Sequence, residues 1–143
     1  MANPQMIFVN LPVSNLARAT AFYEAIGATR NPQFSDDTAS CMVISETIFV
    51  MLLTHDKFRQ FTSKTIADAR TTSEVLLCLS AANRDAVDGY VTKATGAGGS
   101  ADPSPQQDYG FMYGRSFEDP DGHIWEVMWM DLEAATKAQA ATA

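Results

Sequence analysis

Two acidic side chains, Glu74 and Glu126, stand in apolar segments that read as strands, EVLLCL and IWEVMWM, and their setting invites chemistry. An ionised carboxylate among hydrophobic neighbours is costly unless something answers its charge. A bound cation, a basic partner, or a proton shared between the two acids would each do so. The first answer makes a metal site and the last a general acid/base pair. The second leaves both residues structural, with Glu74 at a solvated strand edge and Glu126 paired with Arg115. The residues alone leave all three open.

Their neighbours sharpen the question. Period-2 alternation puts Glu74, Leu76 and Cys78 on one face, and Ile124, Glu126, Met128 and Met130 on another. Trp125 and Trp129 alternate with these and should face a helix. Asn10 shares its strand face with Met6 and Phe8, while Phe49, Met51, Phe111 and Tyr113 read as apolar wall or rim. Arg115 could clamp a carboxylate or phosphonate with two parallel hydrogen bonds, or neutralise Glu118 or Glu126. His55 reads as a loop or helix-start residue, and His123 follows a turn glycine. Two histidines cannot supply a three-histidine zinc site from one chain. No GxSxG, Walker A or Rossmann glycine pattern occurs, and Gly96 to Gly99 closes a helix instead of opening one.

These residues are positioned by a pattern that runs twice. Met6 to Val13 reads as a strand, Asn15 as the cap of a helix carrying Leu16, Ala19, Phe22, Tyr23 and Ile26, and Gly27 as its end. Extended pieces follow at Ala28 to Phe34, Ala39 to Ser45 and Ile48 to Thr54. In the second half Glu74 to Leu79 is a strand, and Asn83 caps a helix with Ala86, Val87, Tyr90, Val91 and Ala94. Tyr109 to Phe117 and Ile124 to Met130 are strands joined by Asp119-Pro120-Asp121-Gly122, a strong turn signal. The two caps are 68 residues apart (83 − 15), as are Phe22 and Tyr90. The fold class is therefore α+β, two βαβββ modules at residues 1–55 and 74–131. A partly helical crossover (56–73) joins them, and an Ala-rich tail (132–143) is either a frayed helix or flexible. One helix cannot cover both faces of a sheet, so curved sheets around a cavity are expected.

Composition excludes several classes. Of 143 residues, 46% are apolar, which suits a folded globule, and the net charge of -7 with scattered Lys and Arg argues against nucleic acid or an anionic membrane surface. No run approaches the roughly 20 apolar residues of a membrane span. Cys41 and Cys78 lack CxxC spacing and read as free thiols; with no signal-like N-terminus, a cytoplasmic location is expected.

Three stretches carry a family resemblance: IFVNLPVSNLARATAFYEAIGA (Ile7 to Ala28), EVLLCLSA (Glu74 to Ala81) and EDPDGHIWEV (Glu118 to Val127). Together they resemble the vicinal oxygen chelate superfamily, the group of glyoxalase I, bleomycin-resistance proteins, fosfomycin-resistance enzymes and extradiol dioxygenases. The resemblance implies paired βαβββ modules, a homodimer, and a cavity that often holds a divalent metal (Zn, Ni, Mn or Fe). It also implies four ligand positions, on the first and last strands of each module. These fall on Phe8, about Met51, Glu74 and Glu126, so only the last two could ligate. Glu74 and Glu126 are then either metal ligands or the catalytic pair for proton transfer beside a carbonyl. Phe8, Asn10, Met51, Tyr113 and Arg115 would line the small-molecule site. The rival reading is a non-catalytic protein that sequesters a drug-like molecule, which Phe8 and Met51 favour.

Overall fold

In the computed structural model, which describes residues 3–142, the chain forms two compact units that divide between Thr72 and Ser73. Each unit is one sheet with a helix packed against one of its faces.

In the first unit, β1 (Ile7–Val13) leads to α1 (Leu16–Ala25), followed by β2 (Thr29–Asn31), β3 (Ala39–Val43) and β4 (Ile48–Thr54). The sheet order is β1-β4-β3-β2, with β1 parallel to β4 and the other pairs antiparallel. Helix α1 starts where Asn15 Oδ1 accepts the Arg18 N–H at 3.0 Å, answering one of the free amides of the first turn. It ends before Gly27, whose φ of 113° is a left-handed conformation that favours glycine. Ala19, Phe22 and Tyr23 of α1 are buried, as are Leu11, Val13, Val50 and Leu52 of the sheet.

The expected strand from Ala28 to Phe34 is cut short. Pro32 has no N–H for a ladder, and Asn31 Oδ1 accepts the Gln33 N–H instead, so Pro32–Phe34 turn into a short 3₁₀ helix. In the crossover, α2 (His55–Arg59) is capped by Thr54 Oγ1 and packs on β1 and β4. His55 is its first residue.

The second unit runs β5 (Leu77–Ser80), α3 (Arg84–Gly96), β6 (Ser100–Ala101), β7 (Gln107–Asp108), β8 (Met112–Glu118), β9 (Ile124–Met130) and α4 (Leu132–Thr142). The sheet order is β5-β9-β8-β6, with β7 also on β8. Val87, Val91 and Ala94 of α3 are buried together with Leu79, Phe117, Trp125 and Val127 of the strands. The Asp119–Gly122 turn is closed by the Gly122 N–H donating to the Asp119 carbonyl, with Asp119 Oδ1 accepting the amides of Asp121 and His123.

One expectation changes here. The strand expected from Glu74 begins at Leu77, so Glu74 lies ahead of it and is exposed. Of the two alternatives for the stretch after Asp131, the helix is the one formed, as α4.

Candidate functional site

Register decides which side chains meet. In the second unit the parallel β5–β9 ladder sets Cys78 opposite Glu126, and the antiparallel β9–β8 ladder sets Ser116 on the other side of Glu126. Cys78, Glu126 and Ser116 therefore form one row across the sheet face that α3 does not cover. The next row is Ser80, Met128 and Gly114, and the row after it pairs Met130 with Met112. Gly114 leaves a hollow about the size of a single side-chain carbon on this face. A Cβ built there would stand 3.4 Å from the Met112 methyl and 3.8 Å from Met128 Cβ, so the two methionines border it. Glu126 is half-buried, and the charge it carries, second to desolvation by neighbouring atoms, pushes the Cys78 thiol above its ordinary range.

Glu74 is not the cross-strand neighbour of Glu126. It stands four residues before Cys78, on the order of 10 Å further along the chain at about 3.3 Å per residue. The 68-residue offset explains the difference. It relates Asn10 to Cys78 and Phe8 to Leu76 (76 − 8), so Leu76, not Glu74, holds the position equivalent to Phe8. Leu76 is 51% exposed and Phe8 49%, a matched pair of uncovered apolar side chains.

Tyr113 and Arg115 lie on the opposite face, under α3. The Arg115 guanidinium donates from Nε and Nη2 to Asp102 at 3.1 and 2.7 Å and from Nη1 to Asp88 at 3.0 Å. Tyr113 Oη donates to Asp88 at 2.6 Å. Arg84 donates to both Asp108 oxygens at 2.9 and 2.8 Å and lies over the rings of Tyr113 and Trp129. Tyr113, then Arg115, holds the Asp88 carboxyl below its ordinary range, and Arg115 does the same to Asp102. Arg84 brings Asp108 down to about 2. Arg115 is thus engaged by two carboxylates and pairs with neither Glu118 nor Glu126. Sequence reasoning missed this cluster, although Arg84 and Asp88 stand one helical turn apart and Tyr113, Arg115 and Trp129 share the strand parity of Trp125.

In the first unit, the face away from α1 carries Phe8, Asn10, Phe49 and Met51. Asn10 pairs with Met51, and Met51 with Cys41. The Phe8 and Phe49 rings stack with centroids 4.7 Å apart and planes 11° from parallel.

With this architecture established, comparison with known proteins gives one decisive result: the sequence profile of the Glyoxalase/Bleomycin resistance protein/Dioxygenase superfamily matches residues 5–127. The chain belongs to that superfamily. Solved structures share the fold. A hypothetical protein from S. aureus superposes with a TM-score of 0.73 at 24% identity, covering 90% of this chain and 95% of its own. The fosfomycin resistance protein FosX from Listeria monocytogenes gives 0.63 at 18%, covering 90% and 92%. TnmS3, an antibiotic binding protein from Streptomyces sp. CB03234, gives 0.62 at 17%, covering 92% and 99%. No curated protein matches the chain significantly by sequence.

Superfamily members commonly hold a divalent metal, and the residues here can be tested against one. The positions at which ligands are expected are Phe8, about Met51, Glu74 and Glu126; Glu74 is exposed ahead of β5, and the offset between the caps puts Leu76 in its place. Phenylalanine and leucine cannot ligate, and a thioether is a poor ligand for hard or borderline cations. Only Glu126 is a hard donor. Among the described residues no group of three or more His, Cys, Asp or Glu comes together. The donor set does not fit a divalent cation of the usual kind.

Proposed function

We propose that this superfamily member binds a small, largely apolar molecule on a sheet face that the helix of its unit leaves uncovered, and releases it unchanged. The single observation that carries this reading is Phe8, stacked on Phe49, which with Met51 stands where metal-ligating side chains are expected. Aromatic and methionine surface suits a planar organic molecule, and the isolated hydrogen-bonding groups, Asn10 in one unit and Glu126 in the other, suit orientation more than catalysis. The fold it shares with an antibiotic binding protein agrees with such a role. The protein acts in this reading as a homodimer in the cytoplasm, where the exposed free Cys78 stays reduced.

The test joins metal analysis to binding. Untagged protein is expected to carry no stoichiometric Zn, Ni, Mn or Fe. It should bind fused-ring aromatics in fluorescence titrations, with Phe8→Asp weakening them by about tenfold or more. Stoichiometric metal that Glu126→Gln removes, accompanied by turnover of a carbonyl or epoxide substrate, would overturn the reading.

A further inference from the structure

Resting on that reading, we propose that the uncovered face of the second unit selects a planar aromatic cation, its ring over the Gly114 hollow and its positive group against Glu126. Three observations carry this. First, Gly114 is an interior residue of β8, whose partner β9 runs the full length beside it. A glycine there contributes nothing to packing and marks a place where another group comes close to the backbone. The hollow is bordered by Met112 and Met128, flexible and polarisable side chains that can settle against a flat ring.

Second, the only ionisable carboxylate in these central rows is that of Glu126, among Cys78, Met128 and Met130 on the same face. Among the described residues no hydrogen bond or ion pair reaches its side chain. Asp88, Asp102 and Asp108, by contrast, are each matched to an arginine. Third, Glu126 lies two residues along β9 from Met128, about 7 Å from the hollow. A fused ring system centred there brings an amino group at its end within hydrogen-bonding reach of the carboxylate.

The selection follows from desolvation. A molecule seated over Gly114 strips water from one side of a half-buried carboxylate. A neutral ring leaves that loss uncompensated and an anion adds repulsion, whereas an ammonium or amidinium replaces the lost water with a charge-assisted hydrogen bond. The net charge of -7 works in the same direction at long range.

The experiment compares three dyes of similar shape by fluorescence titration of the full chain: proflavine as cation, acridine as its uncharged counterpart, and anthracene carboxylate as anion. Proflavine is expected to bind about tenfold more tightly than acridine, and anthracene carboxylate most weakly. Glu126→Gln should erase the proflavine advantage, weakening proflavine while acridine, which no longer desolvates a charge, binds more tightly. Gly114→Ala, whose added Cβ meets contacts of 3.4 Å or more, should weaken proflavine and acridine together. Equal binding of proflavine and acridine by the native protein, or a Glu126→Gln variant that weakens both alike, overturns the proposal while small-molecule binding stands. Failure of every dye to bind overturns both. Far-UV circular dichroism of the two variants, with the native melting profile as reference, separates lost binding from lost fold.

Discussion

The two units solve the same packing problem from opposite sides. In the first, the helix supplies the aromatic volume: Phe22 and Tyr23 of α1 are fully buried against the aliphatic Leu11, Val13, Val50 and Leu52. In the second, the strands supply it: Phe117 and Trp125 are buried beneath a helix that offers only Val87, Val91 and Ala94. The polar side of the seat differs too. Helix α1 meets its sheet through a hydroxyl pair, Thr20 with Ser40 at 2.8 Å, whereas α3 meets its sheet through the charged and aromatic set of Arg84, Asp88, Tyr113, Arg115 and Asp102. What a βαβββ layer demands is a filled space between helix and sheet, and large side chains may enter it from either wall. This is why the repeat shows in caps and periodicity while residue identity across it is poor.

If the aromatic volumes are equivalent, removing either should cost alike. Trp125→Ala and Phe22→Ala are each expected to destabilise by about 3–5 kcal/mol, the range for emptying a buried aromatic site. Denaturant melts read by circular dichroism would check this. A Phe22→Ala cost below about 1 kcal/mol would break the comparison, because it would mean the first unit's strands fill the layer unaided. Both tryptophans, Trp125 and Trp129, lie in the second unit, so their fluorescence reports on that unit alone.

The ionic seat of α3 comes next in size. Arg115→Met should cost about 2 kcal/mol, since it strips charged hydrogen bonds from Asp88 and Asp102, a loss reduced by the partial exposure of both acids. Acid sharpens the contrast. Asp88, Asp102 and Asp108 titrate below their ordinary range when folded. The stability they confer is therefore present above the ordinary carboxylate range and is lost as pH falls through the lowered folded values, down to about 2 for Asp108. The first unit has one such described group, Asp36, lowered chiefly by the Thr38 hydroxyl. Tryptophan fluorescence should accordingly show an acid-labile second unit, and Arg115→Met should flatten that pH dependence. An acid response unchanged by Arg115→Met would show that the seat does not govern it.

How much of this was legible in the sequence follows the range of the interactions. Asn15, Gly27, Asn83 and the Asp119–Gly122 turn act within a few residues, and each stands where local chemistry puts it. Strands β4 and β9 keep their expected bounds because strict apolar patterning fixes them. The site was harder. Whether Glu74 or Leu76 meets the last strand depends on where pairing with β9 begins, and a strand whose flank reads Glu-Val-Leu-Leu has no local mark of that point. The offset between the caps did carry the answer, through Asn10 and Cys78. The partners of Arg115 were hidden for the same reason: Asp88 lies 27 residues away and Asp102 13. Nothing local links them.

The smallest expected effect is the most direct test of the repeat itself. Asn15 and Asn83 play one role, each accepting an amide of the first helical turn, at 3.0 Å from Arg18 and 2.8 Å from Ala86. Replacing either by Ala should cost about 1 kcal/mol. Because the two caps lie in different units and share no partner, the double variant should lose the sum to within about 0.5 kcal/mol. The losses need not be identical. Helix α3 keeps Asp85 in its first turn, whose charge still favours the helix N-terminus when the cap is gone, whereas α1 has no acid there. Asn15→Ala should therefore be the more costly of the two by a few tenths of a kcal/mol, and raising the salt concentration, which screens Asp85, should narrow the gap. A gap of the opposite sign would mean that tertiary packing, rather than the cap and the helix dipole, sets where these helices begin.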